Sequence, residues 1–337
     1  MRLEELPSRV DELVAESRFS GVVRVDCEAE TVLERAVGWA HRAMRVPMTV
    51  DTRLGVASGS KSFTALVVHS LATDATLPLA TRARDLLGDD LPLIDDRVTI
   101  EELLAHRSGI GDYFDETAGY ATNDYVMSVP VHTLVTSTDY LSVLEGHPQQ
   151  FPPGERFAYN NSGYVVLALL AERAAGTPFV DLVRQRVTDP AGMTDTAYFR
   201  SDALPEHTAL GYLDAEGDQS NVLHLPVRGT GDGGAYTTAR DVHRLWGALR
   251  RGEVLDPAAL AAAWRPLSDV PLEGMRFGLG FWLHASGPAV ILDGSDAGVS
   301  FRTVHDPESD ITHTVISNWS EGAWPLTHGL DRHLFGE

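Results

Sequence analysis

Apolar positions fall at helical spacing through the middle of the chain and alternate with polar ones toward both ends. Leu6, Val10, Leu13 and Val14 mark one face of a short amphipathic helix. Residues 19–25 and 31–40 then alternate and predict a hairpin. Residues 49–56 read as an extended lead into a helix starting near Ser58, with Phe63, Leu66, Val67 and Leu71 at helical spacing. That helix is apolar nearly all round, which predicts burial. Residues 80–205 read as helices and loops. Among them are a capping-box helix at 99–106, an apolar helix from Tyr164 to Ala175 that stops at Gly176, and another from Phe179 to Val187. From Thr208 strand signals return, and a Gly-rich stretch at 229–235 precedes a capped helix at 238–246. The tail carries strand candidates at 277–284, 289–292 and 312–317, with Ser286-Gly287-Pro288 as the turn between the first two. The predicted class is α/β (α+β): an antiparallel sheet built from both termini, flanked by helices, plus an all-helical region. The expected division is 1–80 with 205–337 as a discontinuous sheet domain and 81–204 as a mainly helical domain.

Composition narrows the partners. The 337 residues are 43% apolar and 22% charged, ordinary for a globular protein. A formal charge of −21 argues against nucleic acid or an anionic membrane. The lone cysteine, Cys27, excludes an internal disulfide and reads as a small packing residue. The first residues lack an apolar core of signal-peptide length, and no run approaches membrane-spanning length, so a cytoplasmic protein is expected.

The candidate chemistry centres on Ala57-Ser58-Gly59-Ser60-Lys61. Ser58 and Lys61 are three apart, hence neighbours on one helical face. A serine near a helix start sits where developing negative charge is favoured, and a lysine in a partly dry site can lose its proton and act as a base. Residues 151–163 form a Pro/Gly-punctuated loop carrying Tyr159 and Asn161, two apart and able to face one cleft. A tyrosine beside a protonated lysine is expected to have its pKa lowered and to shuttle protons. Asn161 is a candidate to orient a substrate amide or Lys61. The histidines show no metal-ligand spacing such as H-E-x-x-H, so no metal or other cofactor is assigned. There is no G-x-S-x-G either, which counts against an ordinary α/β-hydrolase.

These elements occur in an order that resembles the serine hydrolase family of class C β-lactamases, D-aminopeptidases and family VIII carboxylesterases, across residues 19–318. The matching stretches are 19–23, 58–64, 99–109 ending Leu103-Leu104-Ala105-His106-Arg107-Ser108-Gly109, 153–164, 190–196 and 234–241. The resemblance implies a β-lactamase/transpeptidase-like fold with the site between its two domains. It makes Ser58 the nucleophile, Lys61 its base, Tyr159 a proton relay and Asn161 a substrate-positioning residue, and it gives His106 a structural place. One segment departs from the pattern. Counting back from Gly298, the family's K-T-G or H-x-G triplet has become Leu292-Asp293-Gly294. Gly294 is retained, and the N–H of Ser295 with that of Ser58 is expected to form an oxyanion hole. Leu292 replaces the basic or imidazole residue. Asp293, near the acyl site, is expected to repel a substrate carboxylate by roughly 2–3 kcal/mol.

The function implied is acyl-enzyme hydrolysis of a neutral or cationic ester or amide in a small molecule or short peptide. The alternatives are acyl transfer on the same scaffold, β-lactam hydrolysis, and a catalytically idle binding protein.

Overall fold

The computed structural model describes residues 3–28, 30–116, 119 and 122–336. Eight strands form one antiparallel sheet: β1 (Gly21–Cys27), β2 (Glu30–Val37), β3 (Ser268–Val270), β4 (Met275–Phe277), β5 (Trp282–His284), β6 (Val290–Asp296), β7 (Val299–Asp306) and β8 (Ile311–Ser317). Their order is β2-β1-β8-β7-β6-β5-β4-β3. The pairing Gly21↔Ser317 through Cys27↔Ile311 joins the first hairpin to the last strand. One sheet is therefore made from both ends of the chain, as the alternating blocks predicted.

Helices cover both faces. On one side α1 (Leu6–Glu16) and a helix near the C-terminus (Trp324–Phe335) pack Leu6, Val10, Leu326 and Leu330 against Val23, Val25 and Val315. On the other side a larger core gathers Val22, Phe301 and Ile316 with α2 (Lys61–Thr73), α3 (Ile100–Leu104), α4 (Asn161–Ala175) and α5 (Ala239–Arg250). The caps follow from sequence. The Thr99–Glu102 capping box starts α3, and Asn160 Oδ1 accepts from Gly163 N–H to start α4. Gly176, at φ 62°, closes α4 in the left-handed conformation that favours glycine.

Four details differ from the pattern reading. Strand β7 was not foreseen: it lies inside the sheet and is buried on both faces, so it carries no simple alternation. The stretch 277–284 is two strands, because Gly278 and Gly280 turn the chain between β4 and β5. Residues 208–233 hold isolated bridges and turns instead of strands. The helix from Phe179 gives way at Arg184 to a single wide turn through Thr188. Among the described residues, no helix is long and apolar enough to cross a membrane.

Candidate active site

Ser58 lies on a 3₁₀ turn, Ala57–Ser60, that runs into α2 at Lys61, so it precedes the α-helix by one turn. The i,i+3 relation survives, because a 3₁₀ turn brings residues three apart into register. Ala57 adopts φ 44°, a left-handed conformation costly for a residue with a Cβ, immediately before the serine. Surrounding contacts hold it there. Gly59 N–H donates to Val56 O (2.8 Å), Ser60 Oγ to Ala57 O (2.5 Å), and Val56 N–H to Ala235 O (3.0 Å). Ser62 Oγ donates to Gly280 O, so Ser60 and Ser62 are both committed to structure.

The sheet presses on this turn from below. A Cβ on Gly294 would lie 2.2 Å from Val56 O and 3.0 Å from Ser58 N, and one on Gly59 would meet the Phe301 ring at 2.4 Å. Only glycine lets β6 run against the serine's backbone. Gly294→Ala is therefore expected to displace the turn and cut reactivity at Ser58 by about 10²-fold. Labelling rates with a serine-directed probe measure this; an unchanged rate in a folded variant would refute the role.

Lys61 is buried, with Nζ 2.8 Å from Ser58 Oγ, 2.7 Å from Asn161 Oδ1 and 2.6 Å from Asp232 O. Two of these partners are oxygens that can only accept. They take two N–H bonds of a neutral amine and leave its lone pair facing Ser58 Oγ. Burial lowers the Lys61 pKa, against the opposing pull of Asp232, Glu116, Asp112 and Asp296. Asn161 is itself fixed: its Nδ2 donates to Phe114 O and Glu116 Oε1, and its N–H to Asp112 Oδ2. Asn161 thus holds Lys61.

Tyr159 lines the same cleft as Ser58, and its ring lies 5.0 Å from Lys61 Nζ. Its pKa is raised well above the ordinary phenol value by burial, with Glu116 adding to the effect. This corrects the expectation of a lowered pKa: desolvation of a phenolate outweighs the nearby lysine. The His106 ring packs at a tilt of 35° against that of Tyr159, centroids 4.5 Å apart, and its Nδ1 accepts from Asn160 N–H. Burial holds it neutral, its pKa well below the usual range. Its position beneath Tyr159 and beside the start of α4 is a supporting one.

A narrow cleft brings together Ser58, Lys61, His106, Tyr159, Trp282 and Asp293. The β6 segment divides around it. Leu292 is 2% exposed and packs in the main core, so its side chain does not line the cleft. Asp293 does line it, but Arg302 on the adjacent strand clasps its carboxylate through Nε (3.1 Å) and Nη2 (2.5 Å). The expected repulsion of a substrate carboxylate by Asp293 is thereby offset by a guanidinium paired with it. Ser295 is exposed on β6, whose pairing with β5 ends at Ile291, leaving the later main chain outside that ladder.

The pattern reading missed the loop 229–235 as part of the site. Thr64 Oγ1 donates to Gly231 O, Lys61 to Asp232 O, and Ala235 N–H to Ser60 Oγ. A Cβ on Gly231 would lie 2.0 Å from Tyr164 O, so the glycine lets this loop lie on α4. The cluster of glycines was the available signal. Asp296 was missed too. Burial, then Glu116 and Asp232, push its pKa up to about 7. As pH rises through 3.8 an unfolded Asp296 ionises while the folded one stays protonated, so stability falls until about pH 7. Asp296→Asn should then stabilise the protein at pH 8 relative to pH 4 by up to about 4 kcal/mol. Denaturant melts at the two pH values check this; an equal effect at both would contradict it.

Sheet, helices and the turn that carries Ser58 together make this a β-lactamase/transpeptidase fold. A family model described as Beta-lactamase matches residues 6–334, and the chain belongs to that family, one of serine hydrolases. It is 30% identical over 301 residues to Esterase EstB of Burkholderia gladioli, covering 80% of this chain and 76% of that one. The crystal structure of a penicillin binding protein from Bacillus halodurans superposes with a TM-score of 0.90 at 34% identity, over 96% of this chain and all of that one. A D-amino acid amidase from Ochrobactrum anthropi SV3, complexed with L-phenylalanine amide, gives 0.80 at 26% identity, over 98% and 96%.

Proposed function

We propose that the protein hydrolyses neutral or cationic esters or amides through an acyl-enzyme on Ser58. The observation that carries this is the 2.8 Å contact between Lys61 Nζ and Ser58 Oγ, with Asn161 Oδ1 and Asp232 O placed to take both hydrogens of the neutral amine. In this reading neutral Lys61 accepts the Oγ proton as Oγ bonds to the substrate carbonyl carbon. The carbonyl π pair moves to oxygen, where the N–H groups of Ser58 and Ser295 stabilise it. Collapse breaks the bond to the alkoxide or amine, which takes the Tyr159 hydroxyl proton. Lys61 ammonium then returns a proton to Tyr159. Water then attacks the acyl carbonyl carbon as neutral Lys61 accepts its proton, and on collapse the bond to Ser58 Oγ breaks and Oγ takes that proton back from Lys61, releasing the acid.

The names of the relatives support esters and amides of small molecules or short peptides as the substrate class. Asp112, Glu116, Asp232 and Asp296 all bear on Lys61, so the surroundings disfavour a substrate carboxylate even with Asp293 paired. Acyl transfer to an alcohol or amine in place of water uses the same residues.

The test is intact-mass labelling with a fluorophosphonate, in which Ser58 Oγ displaces fluoride at phosphorus. One adduct is expected, mapping to Ser58 and absent from Ser58→Ala. Mapping to Ser60 or Ser62, or no adduct, would overturn the assignment.

A further inference from the structure

Beside the turn that carries Ser58 lies a second and larger cavity of about 70 Å³. Ala57 and Gly233 line it, and both adjoin the Ser58 amide; a Cβ on Gly233 would stand 3.8 Å from Ser58 N. That is room for several waters or one compact group such as a small ammonium head. Asp232 and Asp296 line it with Tyr113, Tyr140 and Tyr236, together with apolar residues such as Val227. Among the described residues that line it, none is basic.

The two carboxylates are incompletely matched by the protein. Tyr113 Oη donates to Asp232 Oδ2, and Ala297 N–H donates to Asp296 Oδ1 at 2.8 Å. Asp296 Oδ2 accepts no hydrogen bond among the described residues. Lys61, the nearest cation along the turn, spends its hydrogen bonds on Ser58, Asn161 and the Asp232 carbonyl, and opens onto the other cleft. We propose that this cavity binds an organic ammonium group of the substrate, with Asp232 and Asp296 supplying charge and the tyrosine rings supplying π faces. Two features favour an organic cation over a metal ion. No group of three or more metal-ligating side chains occurs among the described residues, and aromatic and aliphatic residues complete the lining.

The inference deepens the serine hydrolase reading and rests on it, but its first test does not depend on turnover. Calorimetric titration at pH 8, where Asp296 is ionised, with tetramethylammonium chloride against sodium chloride is expected to show binding with Kd on the order of 1 mM. Asp296→Asn is expected to weaken it about tenfold, with Asp232→Asn as a second variant and circular dichroism to verify folding. Absence of binding, or binding that neither variant alters, would overturn the proposal whatever Ser58 does. The second test compares kcat/KM for charged and isosteric neutral esters. The acyl arm sets 4-nitrophenyl 4-(trimethylammonio)butanoate against 4-nitrophenyl 5,5-dimethylhexanoate. The leaving-group arm sets butyrylcholine against 3,3-dimethylbutyl butyrate. A preference of about tenfold for the cation in one arm, abolished by Asp296→Asn, is expected. Fluorophosphonate labelling of Ser58 without a preference in either arm would sink the cation site and leave the hydrolase reading standing. Failure of labelling with ammonium binding intact would do the reverse.

Discussion

Lys61→Met is expected to lower kcat by about 10⁴-fold and to slow fluorophosphonate labelling of Ser58 in parallel. Methionine fills the lysine's volume while removing the only group that accepts the Ser58 proton in the proposed mechanism. The cost to folding is expected to be modest, about 1–3 kcal/mol, because Asn161 Oδ1 and Asp232 O each lose a buried donor. Circular dichroism separates that loss from the kinetic one. The pH profile of the unmodified protein carries the same information. Burial depresses the Lys61 pKa, so the neutral, active amine is present at lower pH than for an exposed lysine. Activity should climb as pH rises through that depressed value, and Lys61→Met should lose the limb. A variant that keeps a tenth of the rate, or the same limb, would remove Lys61 as the base.

Tyr159→Phe is expected to separate substrates by their leaving groups. On an alkyl ester or anilide the loss should reach about 10³-fold, because the departing alkoxide or amine needs the hydroxyl proton. On a 4-nitrophenyl ester it should be under about tenfold, since 4-nitrophenolate departs without one. The raised pKa of Tyr159 fixes the direction of this role: the phenol keeps its proton and donates. Activity should consequently show no decline near pH 10, where an exposed tyrosine ionises. Equal losses on both substrates would make Tyr159 a purely structural residue. The two side chains meet at Ser58, so their effects should be far from additive.

Local sequence was enough for the elements and the chemistry that depend on short range. Period-2 alternation marked β1, β2 and β8. Helical spacing and caps marked α1, α3, α4 and α5, although α4 starts three residues before the expected Tyr164 and α5 runs four past Trp246, because periodicity is a property of neighbours in the chain while helix ends also answer to packing. Ser58 and Lys61 were legible for the same reason: three residues on any tight helical turn bring side chains together. The order of motifs also carried the family.

Tertiary structure decided the rest. Strand β7, buried on both faces, had no period to betray it, and the loop 229–235 gained its part only by folding across the turn that carries Ser58. Gly294 reads as a family remnant in sequence, but its necessity lies in a 2.2 Å approach to Val56 O, across more than 200 intervening positions. Charge showed the same divide. Sequence placed Asp293 beside the site as a bare anion, whereas the β6–β7 register sets it opposite Arg302. Tyr159, read as an easily ionised phenol from its neighbour, is the contrary once buried. Burial and pairing depend on which distant segments enclose a group, and a linear pattern does not encode that enclosure.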